Sequence, residues 1–158
     1  MKIVLVHPLI PQNTGSIGRV CAATDTELVL VEPLGFSLDD RYLKRAGLDY
    51  WPWIRLTVAA SWQEVLPPAA PAWLFTTHAT RSFHDVEYQS DDLLVFGRET
   101  TGLPDELVQS FPAERCLKIP IDNPNVRSLN LAQCAAVALY EARRQARLAA
   151  MNRIGQGS

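Results

Sequence analysis

Five short and almost wholly apolar segments limit what this chain can fold into: Lys2–Val6, Glu27–Val31, Trp73–Thr77, Leu93–Phe96 and Cys116–Ile119. A strand with one face in water alternates apolar and polar residues. One covered on both faces reads as a continuous apolar run. Helical segments stand between these runs. Gly15 to Thr24 puts Ile17, Val20 and Cys21 on one face. Asp39 and Asp40 open a helix with an acidic first turn, which the helix dipole favours, and Gly47 stops it. Ser61 and Glu64 have capping-box spacing, and Pro67 and Pro68 end the short helix they begin. Pro104 suits the first turn of a helix with Leu107, Val108 and Phe111 inward, and Ser128 to about Ala149 forms the last one. Arg55–Ala59 reads as one more strand, and the polar stretch Thr80–Ser90 as a surface loop. Alternating strands and helices predict an α/β fold, a parallel sheet with helices on both faces. The 158 residues fit one domain over residues 1–150, with 151–158 as a frayed tail.

Sheets of this kind bind ligands beyond the carboxyl ends of their strands. Here those ends lead into the loops after Val6, Thr76, Phe96 and Ile119. The last helix adds a constraint. Ser128 stands where an N-cap belongs, and the helix from Asn130 to Tyr140 is rich in alanine and apolar nearly all round. A helix with so little polar face is buried on more than one side, so part of it is expected against a second subunit.

Several function classes lack support. There is no Gly-x-Gly-x-x-Gly after the first strand, no Walker sequence and no Gly-x-Ser-x-Gly elbow. Cys21, Cys116 and Cys134 are odd in number and set among apolar residues, as reduced thiols in a cytoplasmic protein would be. His7, His78 and His84 show no ligand spacing, so no metal is expected. No apolar run reaches membrane-spanning length, and the start is too short for a signal peptide. A net charge of −2 argues mildly against generic nucleic-acid binding. Two local clusters remain, Arg41, Lys44 and Arg45 in one, Arg143, Arg144 and Arg147 in the other; isolated clusters are usually solvated helix faces.

Three motifs remain. Asn13-Thr-Gly-Ser-Ile-Gly-Arg19 reads alone as a turn opening a helix. Phe96-Gly-Arg-Glu-Thr-Thr-Gly-Leu-Pro104 reads as a strand, a glycine turn and a proline-started helix. Ile119-Pro-Ile followed by Ser128-Leu-Asn-Leu reads as a capped helix, which leaves Asn130 unexplained in an apolar context. In this order, the three resemble the motifs of the SpoU/TrmH family of RNA 2′-O-ribose methyltransferases in the SPOUT superfamily. Glu32-Pro-Leu-Gly-Phe, Arg45-Ala-Gly-Leu-Asp-Tyr50 and Tyr140-Glu-Ala are similar to its minimal, single-domain TrmL-like branch.

The resemblance implies properties that composition and spacing do not. It implies a C-terminal deep trefoil knot, which chain-tracing rules would exclude. It also implies a homodimer, with S-adenosylmethionine as methyl donor and S-adenosylhomocysteine as product. The implied substrate is the anticodon loop of tRNA, methylated on the ribose of the wobble nucleotide 34, a pyrimidine of leucine tRNAs. By motif, Phe75, Thr76, Gly97, Ile119 and Ser128 are expected to line the cofactor pocket. Arg19, Asn13, Glu99 and Asn130 are expected at the catalytic centre, with Arg19 and Asn13 toward the RNA. Arg41, Lys44 and Arg45 are expected to contact phosphates. In-line methyl transfer needs alignment and no metal. Because a guanidinium stays protonated in proteins, Arg19 suits a clamp better than a base. Two other readings keep the pocket: the same chemistry on another RNA such as ribosomal RNA, and a binding protein without turnover.

Overall fold

In the computed structural model, residues 1–38 and 50–155 are described. Seven strands form one wholly parallel sheet: β1 (Lys2–Val6), β2 (Glu27–Val31), β3 (Leu56–Ala59), β4 (Ala72–Phe75), β5 (Arg81–Ser82), β6 (Leu93–Phe96) and β7 (Cys116–Lys118). Their order across the sheet is β3-β2-β1-β6-β4-β7-β5. The chain lays β1, β2 and β3 outward in one direction, then places β6 on the other side of β1 with Ile3 beside Leu94 and Leu5 beside Phe96. Among the described residues the α-helices are α1 (Pro11–Ala23), α2 (Trp62–Val65), α3 (Asp105–Gln109) and α4 (Leu131–Gly155); the helix expected from Asp39 to Gly47 lies outside them. Among the described residues no helix is long and apolar enough to cross a membrane.

The apolar strands work as the continuous runs suggest. Ile3, Leu5, Leu28, Leu30, Leu94 and Phe96 point to the face shared with Ile17 and Cys21 of α1 and with Ala135, Ala138, Leu139 and Ala142 of α4. Val4, Val6, Val29, Val31, Leu74 and Val95 point to the other face, against Leu66, Leu107 and Phe111. Each large side chain so buried stabilises the fold by roughly 1.5–3 kcal/mol. Alanines on α4 bring its backbone close to the sheet, and Arg143 donates to the Thr24 carbonyl at the end of α1 at 2.6 Å. That bond ties α4 to α1 and caps the negative end of α1 with a cation.

Several boundaries differ from the sequence reading for identifiable reasons. Helix α1 starts at Pro11 rather than Gly15, because proline at the first position has its φ preset and no N–H to leave unpaired. Asn13 therefore lies in the first turn of a helix, not in a turn ahead of it. Helix α4 starts at Leu131, three residues after Ser128, because the cap is Asn130: its Oδ1 accepts from the Ala132 N–H at 2.8 Å. It runs past Ala149 to Gly155. Pro104 takes the N-cap position of α3, just ahead of the first turn. At Ser61 the capping-box bond to backbone is replaced by one to the Glu64 carboxylate at 3.5 Å.

The largest correction concerns residues 80–90. They contain the edge strand β5, paired to β7, and then three buried side chains, Phe83, Val86 and Tyr88, at 2%, 5% and 2% exposure. Tyr88 packs edge-on against Trp73 and its hydroxyl donates to the Phe83 carbonyl at 2.8 Å, while its own N–H donates to Gln145 of α4. The three apolar residues are spaced among polar ones and leave no periodic trace. Replacing Phe83 by alanine is expected to cost about 3–5 kcal/mol in urea unfolding at fixed protein concentration. A loss below about 1 kcal/mol would return the segment to the status of a surface loop.

Candidate active site

Strands β4, β6 and β7 end at one cavity of about 590 Å³. Phe75 and Phe96, the last residues of β4 and β6, stack with ring centroids 4.6 Å apart and form part of its lining. Three segments build the rest: Thr76–His78 after β4, Gly97–Leu103 after β6, and Ile119, Ile121 and Arg127–Leu129 after β7. Leu131 and Cys134 enter from the start of α4. The volume lies within the ordinary range for a small-molecule site.

The loop after β6 is shaped by two glycines. The backbones of Arg98 and Gly102 exchange hydrogen bonds of 2.9 and 3.0 Å, which folds the loop back on itself. Gly102 sits at φ +73°, and a Cβ on Gly97 would lie 2.1 Å from the Gly102 carbonyl carbon. Only glycine at position 97 lets the returning strand of the loop pass so near. The same fold-back carries Glu99 toward the first strand.

Glu99 joins the three motifs. Its Oε2 accepts from the Leu9 N–H at 2.9 Å, and its Oε1 from the Ile10 N–H at 3.1 Å and from Asn13 Nδ2 at 3.2 Å. Asn13 Oδ1 in turn accepts from Asn130 Nδ2 at 3.0 Å. Asn130 Oδ1 accepts from the N–H groups of Ala132 and Gln133 at 2.8 and 3.4 Å. A carboxylate only accepts, so it fixes which end of the Asn13 amide faces it, and that fixes Asn130. The chain of bonds joins the β1–α1 junction, the loop after β6 and the first turn of α4.

The expected residues divide into four groups. Phe75, Thr76, Gly97, Ile119 and Ser128 all line the cavity, and Glu99 stands in its wall. Asn13 is buried within the network just described, with Asn130 at its far end. Arg19 lies exposed on α1, apart from the cavity lining. Six positions separate it from Asn13, about 9 Å along the axis and on a different side of the helix. Arg41, Lys44 and Arg45 lie outside the described residues. Of the second basic cluster, Arg143 caps α1, and Arg144 makes two 2.9 Å bonds to Glu141, whose carboxyl is held down to about 2 by Arg144 and Gln145.

Sequence reasoning passed over Thr77, Arg98, Arg127, Leu129 and Leu131, which share this wall. Each is a close neighbour of a residue that was named, so the loops were marked and their full extent was not. The thiols are poor nucleophiles: burial pushes Cys21 up to about 12 and also raises Cys116 and Cys134, the last in the cavity wall.

The model of the SpoU rRNA Methylase family matches residues 1–140. A Saccharophagus degradans protein named tRNA (cytidine(34)-2'-O)-methyltransferase is 47% identical over 146 residues, which are 91% of this chain and 94% of that one. A solved structure described as giving insight into the 2-OH methylation of C/U34 on tRNA superposes with a TM-score of 0.84 at 45% identity, covering 91% of this chain and 94% of the other. An AdoMet-bound rRNA methyltransferase from Sinorhizobium meliloti superposes at 0.79 with 25% identity, over 90% of this chain and 55% of its own.

Glu99→Gln places an N–H₂ group against N–H donors and breaks at least one bond of the network. It is expected to lower stability by about 1–3 kcal/mol and to speed amide exchange at Leu9 and Ile10. Unchanged exchange at those two amides would show that the carboxylate does not hold the junction.

Proposed function

The chain belongs to the SpoU rRNA Methylase family, and we propose that it transfers a methyl group from S-adenosylmethionine to the ribose 2′-hydroxyl of nucleotide 34 of tRNA. The observation that carries this reading is the cavity, where all five residues expected to bind the methyl donor stand together at the ends of β4, β6 and β7. Its wall fits that donor. Leu103, Val108, Leu117, Ile119 and Leu131 offer apolar surface for a base, and Thr76, Thr77, Thr101 and Ser128 offer polar groups for a sugar and an amino-acid tail.

When bound, S-adenosylmethionine would supply an electrophilic methyl carbon to the ribose 2′-hydroxyl, with S-adenosylhomocysteine as the leaving group and the hydroxyl proton released to solvent. The protein's own task is alignment, which accounts for large factors in rate when reacting groups are held at contact. Gly97 and the folded-back loop give the donor a close-fitting wall. Asn13, Glu99 and Asn130 act by positioning: their side chains are engaged with one another and with backbone, and so hold three loops in register. In this reading the segment after β7, Ile119 to Ser128, is the knotted wall of the family fold, to be tested by tracing its crossings in an experimental structure.

A homodimer completes the site in this proposal. Ile10, Leu129, Val137 and Tyr140 are large apolar side chains left 36–58% exposed, and Ile10 and Leu129 flank the network at the cavity. A second copy of the chain would cover them. Arg19, which faces away from its own cavity, then clamps RNA at the partner's site. A cytoplasmic enzyme acting on leucine tRNAs fits this reading.

The deciding experiment gives the purified protein labelled S-adenosylmethionine with total tRNA or ribosomal RNA and maps the product. A 2′-O-methyl group at nucleotide 34, in leucine tRNA above all, is expected. A mark confined to ribosomal RNA would replace the substrate, and donor binding without transfer would replace the activity.

Cross-subunit use of Arg19 has its own test. Arg19→Ala and Ser128→Trp protomers, each inactive alone, are unfolded together and refolded. About a quarter of wild-type activity is expected, since half of randomly paired dimers are mixed and each mixed dimer holds one intact site. No recovery would place Arg19 at the site of its own subunit.

A further inference from the structure

Tyr50 grips the side chain of Arg19 in two ways at once. Arg19 Nη2 donates to the Tyr50 hydroxyl at 3.1 Å, and the guanidinium carbon lies over the Tyr50 ring, 4.5 Å from its centroid. The ring face attracts the cation and the hydroxyl fixes its rotation. A free arginine side chain samples many rotamers; one held at both its plane and its edge samples few.

The grip is built into the backbone around it. Tyr50 leads into the 3₁₀ turn Trp51–Trp53, and its carbonyl accepts from the Trp53 N–H at 2.9 Å. The next residue, Ile54, packs on the core between the sheet and α1. It meets α1 at Gly18, where a Cβ would stand 2.7 Å from Ile54 Cδ1. The residue without a side chain thus precedes Arg19 directly, and the segment that docks there delivers Tyr50 to the arginine. One donor of the guanidinium is spent on Tyr50, which leaves the others for an oxygen of RNA.

We propose that Tyr50 is a positioning residue for methyl transfer: it presets the Arg19 guanidinium so that RNA meets a fixed set of donors. The proposal rests on the reading that Arg19 acts on RNA. It predicts a graded series. Tyr50→Phe keeps the ring and loses the hydroxyl bond, and should lower kcat/KM for tRNA about threefold; Tyr50→Leu loses both contacts and should lower it about tenfold. Melting temperature and S-adenosylmethionine binding should hold in both variants, because Tyr50 is exposed and is not among the residues that line the cavity.

The decisive measurement is the double-mutant cycle with Arg19→Ala, read as tRNA affinity because that background lacks turnover. If Tyr50 acts through Arg19, Tyr50→Leu costs nothing further once the arginine is gone. An equal loss in both backgrounds would mean that Tyr50 touches RNA itself, and no loss in either would mean that the contact is idle; both overturn the proposal. Relaxation of the Arg19 Nε–Hε signal adds a readout that needs no activity. It should report a rigid side chain in the wild type and a mobile one in Tyr50→Leu. If the wild type methylates no tRNA, the functional reading fails, and this signal still decides: equal mobility in both proteins refutes positioning.

Discussion

The carboxylate of Glu99 is the constraint on which the rest of the site depends. It sits at the tip of a loop that only glycine at position 97 allows to fold back, and it accepts from two consecutive backbone N–H groups at the entrance to α1. Those groups would otherwise be open donors at the end of a strand. Their partner lies 89 and 90 positions away in sequence, so the bonds fix tertiary structure. Through Asn13 the same carboxylate orients Asn130, which caps the longest helix. Charge-assisted bonds of this kind are stronger than neutral ones, and their loss leaves partly buried donors at Leu9 and Asn13 unpaired.

In the proposed dimer, helix α4 would serve binding and assembly together. Its inner face carries Ala135, Ala138, Leu139 and Ala142 onto the sheet, its first turn carries Leu131 and Cys134 into the cavity wall, and Val137 and Tyr140 remain outside. A helix engaged on so many sides has little room for polar residues. The polar ones it does carry are placed for specific bonds: Arg143 to the end of α1, Gln145 to Tyr88, Glu141 to Arg144 and Gln145. The alanine-rich composition follows from this crowding, because a small side chain lets one backbone serve several neighbours.

Much of the fold was legible because burial on both faces of a sheet writes itself as apolar runs. The bounds of β1, β2 and β6 coincide with those runs. Where structure depended on single residues at long range, local pattern misled. Ser128 had the composition of a cap, but Asn130 holds that place, where Asn13 of the neighbouring helix α1 accepts from its amide. Residues 80–90 looked polar because their three anchors follow no period. The loops around the cavity could be marked from strand ends alone, yet their chemistry came through the family motifs. Tyr50 carried no local signal of its own role, since the arginine it holds is brought to it by Gly18 and Ile54.

The net charge of −2 stops being an objection to RNA once charges are located. Basic clusters in sequence are a poor guide: Arg143 and Arg144 are committed within the subunit. Cations that stand at the cavity are dispersed along the chain, with Arg98 after β6 and Arg127 ahead of α4. The His7 imidazole is held below its ordinary range first by burial and then by the charge of Arg98, so it is neutral at pH 7 and adds no charge of its own. Glu99 and Asp105 stand in the same wall, so the two arginines act as individually placed cations and the cavity as a whole is not cationic. For the proposed substrate, attraction would therefore be local to Arg98 and Arg127. Such an arrangement favours a single docking pose over general affinity, which suits an enzyme that modifies one nucleotide.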